Sequence, residues 1–243
     1  MNSVIAADTH SSRLSAAVER VRQKIREVTL RSGQRVEDIT LVAVSKTHPA
    51  VAVREAIACG LTDFGENRVQ EAEVKIPEVG RDAARWHLIG HLQSNKARRA
   101  VELFDWIHSV DSADLARRID RICREVDRKE LPVLIQVDLG HEATKTGVEE
   151  TNLREVVDAV RQCDRLQLMG LMTLPPFFET AEKARPYFRR LREIRDDLQR
   201  EGVFAERSGD LSMGMTHDFE IAIEEGATII RVGTAIFGER HAG

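Results

Sequence analysis

The chain has 243 residues, 42% hydrophobic and 31% charged, with a net charge of −4. That length is ample for a real core, and the charge balance gives no sign of a nucleic-acid binder. Cys59, Cys123 and Cys163 are odd in number and far apart, with no C-x-x-C pair; this argues against a disulfide framework or a zinc site and suits a reducing cytoplasm.

Residues 1–10 read as a loose tail, without the basic and apolar regions of a signal peptide. No apolar run approaches the roughly 18 residues that a membrane helix needs. Leu14, Val18, Val21, Ile25 and Val28 then recur at helical spacing, and Gly33 closes that amphipathic helix. Short apolar runs and helical patterns alternate from there. Strands are predicted at 40–45, 61–64, 86–89, 106–108, 133–137, 166–170 and 228–232, with a weak one at 210–212. Helices are predicted at 51–59, 68–76, 95–102, 113–129, 152–162, 182–201 and 218–225. Gly60, Gly202 and Gly226 follow helices where a left-handed closing residue belongs. Asp111 and Asp114 give the helix at 113 an acidic start.

The strands are apolar on both faces and separated by helices, so the sheet should be parallel. About eight such βα units fit a single closed (β/α)8 TIM barrel of the α/β class, with an extra N-terminal helix. An open doubly wound sheet is the competing architecture, but neither G-x-G-x-x-G nor a Walker lysine loop follows the first strand. No linker divides the chain, so residues 11–243 are expected to form one domain.

In a parallel barrel, chemistry gathers where strands end. Lys46 ends the first strand in LVAVSKTH and shares parity with Val42 and Val44. It is either a snorkelling lysine or a desolvated amine able to form a Schiff base with an aldehyde. Asn67, in FGEN, is a helix cap or an amide aimed at a ligand. His87, in WHLIGH, is a hydrogen-bonded core histidine or a proton carrier near Lys46. At the C-terminal end, Thr216 reads as the cap of the helix beginning near Asp218. Arg231 stands on an otherwise apolar strand, in an internal ion pair or facing a ligand. Ser212, Gly233 and Thr234 fall in the loops after the last two strands, where barrels often bind phosphate. An amine, an anion cup and a cation together suit a phosphorylated aldehyde. Pyridoxal 5′-phosphate (PLP) is the obvious candidate, with Arg231 beside the pyridine nitrogen.

LVAVSKTH, FGENRVQE, WHLIGHLQSNK, LMGLMTLPP and LSMGMTHDFEIAIEEGATIIRVGTAIFG closely resemble the YggS/PROSC family of pyridoxal phosphate homeostasis proteins. The resemblance runs from about Thr40 to Arg240. It implies a barrel similar to the N-terminal domain of alanine racemase, with Lys46 holding PLP as a Schiff base. Asn67 and His87 would line the cofactor, Ser212, Gly233 and Thr234 would bind its phosphate, and Arg231 would lie near the pyridine nitrogen. Lys145 corresponds to a second family lysine, and Thr216 replaces a common serine. The resemblance further implies a cytoplasmic carrier or buffer for PLP-dependent apo-enzymes, acting in vitamin B6 and amino-acid balance. Because the sequence closes soon after the last strand, the second domain of catalytic relatives is not expected. A monomer, with neither nucleic acid nor membrane as partner, is expected. The alternative is a weak amino-acid racemase using Lys46 as one base. A sugar-phosphate aldolase fits the barrel but leaves Arg231 unexplained.

Overall fold

The computed structural model describes residues 2–140, 146–204 and 209–239. Helix α1 (Asn2–Ser32) begins before its apolar stripe, within the stretch that reads as a tail. Leu14, Val18, Val21, Ile25 and Val28 are all buried, which fits an amphipathic helix laid against a core. Gly33 follows at φ +73°, a left-handed conformation that glycine adopts without a Cβ penalty.

The strands are β1 (Thr40–Val44), β2 (Asp63–Glu66), β3 (Arg85–Leu88), β4 (Trp106–Val110), β5 (Leu131–Asp138), β6 (Val148–Glu149), β7 (Leu166–Met172), β8 (Asp210–Met215) and β9 (Ile229–Val232). Every pairing is parallel. β1 pairs with both β2 and β9, and β4 pairs with β5, so the ring closes. The two-residue β6 only extends the edge of β5, leaving eight strands in the barrel. This is the predicted (β/α)8 barrel.

The helices around it are α2 (Ala50–Ala58), α3 (Val69–Val79), α4 (Ala97–Leu103), α5 (Ala113–Glu125), α6 (Leu153–Arg161), α7 (Arg185–Arg200), α8 (Phe219–Glu224) and α9 (Thr234–Phe237). α1 packs across α8, α9 and α2, over the seam between the first and last strands. α5 stops short of residue 129. Asp127 takes φ +54°, and the Arg128 guanidinium donates to the carbonyls of Val101 and Phe104 at the end of α4. Ser112 caps α5 by accepting from Leu115 N at 3.3 Å.

Most of the apolar core lies between strands and helices. Inside the barrel the apolar cluster is small: Val42, Leu134, Met169, Met172 and Ile229. Asp63, His87, His108, Gln136, Thr173, Ser212 and Arg231 are buried as well, all of them on barrel strands or at their ends. A polar interior of this kind is tolerable only when its groups are hydrogen-bonded.

Candidate functional site

A cavity of about 630 Å³ opens at the carboxyl ends of the strands. Lys46, Asn67, Thr216, Arg231, Gly233 and Thr234 line it, with Leu174 and Phe177 on an apolar wall. Five of the seven residues predicted for the site therefore share one space.

Lys46 follows β1 after one residue, Ser45. Thr47 then adopts φ +66°, a left-handed conformation that costs a non-glycine residue about 1–3 kcal/mol. Neighbouring contacts hold the turn. Thr47 N–H donates to Glu71 Oε2 at 3.1 Å, His48 N–H donates to Ser45 O at 3.0 Å, and the His48 ring stacks on Phe237 at 4.9 Å. Beneath the turn, Ser45 Oγ donates to Glu66 Oε1 at 2.6 Å. Lys75 Nζ donates to Ser45 O at 2.7 Å and to Glu66 Oε1 at 2.5 Å. Burial raises the Glu66 carboxyl above its ordinary value, although Lys75 and Ser45 oppose the shift.

Asn67 follows β2, but the cap position of α3 belongs to Arg68, which makes no side-chain capping bond. Capping therefore does not account for Asn67. Its backbone is fixed from the next loop: a Cβ on Gly90 would lie 2.2 Å from Asn67 O, so only glycine fits there.

The turn after β8 also differs from expectation. Asp218, not Thr216, occupies the cap of α8, and its Oδ1 accepts from Met215 N at 2.7 Å. Thr216 Oγ1 instead reaches the loop after β9 and accepts from Gly233 N at 3.2 Å and Ala235 N at 3.5 Å. Two backbone donors thus converge on one oxygen at the cavity wall. The bend depends on Gly214 at φ +86°, where a Cβ would lie 2.5 Å from Ala222 Cβ.

Arg231 is 2% exposed. It donates to Ser212 Oγ at 2.6 Å and to Thr173 O at 2.9 Å. Among the described residues it makes no ion pair, so the internal salt bridge considered from sequence is absent there. Burial lowers its pKa to about 10, partly opposed by Asp218, and it remains a cation at neutral pH.

Ser212 and His87 do not line the cavity. Both are buried in the barrel interior. Ser212 is already engaged by Arg231 and His108, and His87 by His108 and Asp63. From sequence, Ser212 is expected in a loop and His87 near Lys46; Ser212 lies within β8 and His87 within β3, buried below the cavity. Lys145 lies outside the described residues. Sequence reasoning assigned no site role to Thr216, Gly90, Asp63 or His108. The last two stand in apolar strands, and a buried charged or imidazole side chain there was a usable signal.

An eight-stranded parallel barrel with a lysine amine, converging backbone donors and a guanidinium that makes no ion pair among the described residues, all around one cavity, suits a ligand-binding protein for a small anionic molecule. The matching family model is described as "Alanine racemase, N-terminal domain" and spans residues 17–241. A pyridoxal phosphate homeostasis protein of Aquifex aeolicus is 44% identical over 92% of this chain and 96% of its own length. A protein of the same name from Pseudomonas aeruginosa is 44% identical over 96% of this chain and 98% of its own. PipY of Synechococcus elongatus, solved with PLP bound, is 44% identical with a TM-score of 0.78, covering 90% of this chain and 100% of that one. The chain belongs to the pyridoxal phosphate homeostasis proteins, within the family of alanine racemase N-terminal domains.

Proposed function

We propose that this protein binds pyridoxal 5′-phosphate in the cavity at the carboxyl ends of the strands and acts as a carrier and buffer of that cofactor. The observation that carries the reading is convergence. Lys46, the Gly233–Ala235 backbone donors and Arg231 come from the first and last strands of the ring, and their loops meet around one space.

The residues fit the group. Lys46 supplies an amine for covalent attachment of its aldehyde. The Gly233 and Ala235 N–H groups and the Thr216 and Thr234 hydroxyls suit its phosphate; the two N–H groups already hold an oxygen acceptor, the Thr216 hydroxyl. Asn67 and the apolar wall would flank the ring. Bound PLP supplies an electron sink for amino-acid chemistry. This chain's own residues weaken that use. The Arg231 guanidinium is donor-only, so it supports an unprotonated ring nitrogen rather than a protonated one. A racemase needs a second base on the opposite face. Tyr187 is the one tyrosine in the sequence, and it packs on Phe178 at 5.7 Å without lining the cavity. The carrier reading extends to delivery of the cofactor to PLP-dependent apo-enzymes by a monomeric, single-domain cytoplasmic protein.

Borohydride reduction of the PLP-loaded protein, followed by peptide mapping, should place the label on Lys46. A label confined to any other lysine overturns that assignment. Release of α-deuterium from a panel of L-amino acids should stay far below ordinary turnover, and sustained kcat of about 1 s⁻¹ or more would overturn the carrier reading.

A further inference from the structure

Below the cavity, five polar side chains form one unbroken line through the barrel. Arg231 Nη1 lies 2.6 Å from Ser212 Oγ. Ser212 Oγ lies 2.9 Å from His108 Nδ1, and His108 Nε2 lies 3.0 Å from His87 Nδ1. His87 Nε2 lies 3.0 Å from Asp63 Oδ1. None of the five is more than 4% exposed.

With both rings neutral, the two ends determine where every proton sits. Arginine can only donate, and an ionised carboxylate can only accept. Asp63 is ionised: burial raises its pKa, but hydrogen bonds from His87, Arg85 and Thr62 outweigh that and bring it down to about 2. His87 therefore donates through Nε2 and accepts at Nδ1. His108 then donates through Nε2, and its Nδ1 accepts from the Ser212 hydroxyl, whose oxygen accepts from Arg231. With both rings neutral, every donor in this line meets an acceptor. For His108, burial, His87 and Arg231 all disfavour the cation.

We infer that Asp63, His87, His108 and Ser212 are positioning residues for Arg231. They fix the guanidinium in one orientation toward the cavity and link it, through aligned neutral dipoles, to a counter-charge on β2. A buried cation without an ion-pair partner is expensive to maintain, and a polarised chain ending in a carboxylate reduces that penalty without covering the face turned to the ligand. Aromatic packing helps hold the line, because Trp106 stacks on His87 at 5.8 Å and meets His108 edge-on at 6.1 Å. At the far end, Asp63 Oδ2 accepts from Arg85 at 2.8 Å, and the Arg85 side chain is 62% exposed, so the line runs from the cofactor cavity to the outer surface at the amino ends of the strands.

The functional half of this inference rests on the cavity being the PLP site; the tautomers do not. Imidazole ¹⁵N NMR of ligand-free protein at neutral pH should show His87 and His108 each protonated on Nε2 alone. A proton on Nδ1 of either ring overturns the line. A double-mutant cycle then tests positioning. His108→Phe should weaken PLP binding about tenfold in the native background and less than twofold beside Arg231→Gln. Asp63→Asn, which keeps shape and loses charge, should repeat the pattern at about threefold. Equal losses in both backgrounds would show a general structural effect and overturn the role. If the native chain binds no PLP, the cofactor reading fails while the tautomers still decide the line.

Discussion

Two buried cations, one beneath the Lys46 turn and one at the cavity, are handled in opposite ways. Lys75, on α3, meets Glu66 Oε1 at 2.5 Å and Ser45 O at 2.7 Å. Arg231, on β9, meets a hydroxyl and a carbonyl; Asp218 acts on it electrostatically, and a line of side chains leads on to Asp63 across the barrel. A charge closed on its own carboxylate is spent on architecture: Lys75 and Glu66 fix the backbone just before Lys46. A charge left facing a cavity retains its attraction for an anion. The contrast separates the scaffold from the site more sharply than burial does, since both side chains are nearly inaccessible.

The largest expected effect breaks the first of these. Lys75→Met leaves Glu66 buried without its counter-charge and should cost about 3–5 kcal/mol in chemical denaturation. Arg231→Met should cost about 1 kcal/mol, because it removes a strained charge along with its bonds, yet lower PLP affinity tenfold to a hundredfold, the scale of a lost charge-assisted hydrogen bond of about 1.5–3 kcal/mol. Equal destabilisation by the two would erase the distinction.

A smaller effect lies in acid. Asp63 has a folded pKa of about 2 against an ordinary 3.8. Its contribution is present above 3.8 and is lost as pH falls toward about 2; the shift is worth about 2 kcal/mol. Asp63→Asn should flatten stability across that window. Glu66 has the opposite sign. Its folded pKa is raised above 4.5, so native stability declines as pH climbs through 4.5, and Glu66→Gln should flatten that slope. Parallel slopes for the two variants would contradict the signs. The smallest effect belongs to the surface: Arg154 and Glu201 form an exposed ion pair, and Arg154→Ala should change stability by less than about 0.5 kcal/mol.

The barrel was legible in the sequence because its signals are local. Apolar runs, amphipathic helices and closing glycines each act over a few residues, and Gly60, Gly202 and Gly226 do take positive φ. Lys46, Gly233 and Thr234 were legible because they fall within two residues of strand ends. What escaped was long-range. Thr216 resembles a cap in T-H-D-F-E, and its actual partner, Gly233 N, is 17 residues away. His108 lies 104 residues from Ser212, and His87 is 24 from Asp63. Which inward-facing side chains meet depends on strand stagger, and no periodicity within one strand encodes that. The same limit hid the depth at which Ser212 and His87 are buried.

The closing seam of the ring has a consequence for biosynthesis. Leu41 pairs with Ile230 and Ala43 with Val232, so the amine after β1 and the donors after β9 become neighbours only when the seam zips. A nascent chain emerging from the ribosome carries Lys46 early but lacks the Gly233 and Ala235 donors until β9 has followed it out. A ligand that touches both sides recognises only the completed ring, and by mass action it holds that ring shut. The vitamin would then act as a clasp on its own container, and a cell short of it would hold a looser barrel as well as an emptier one.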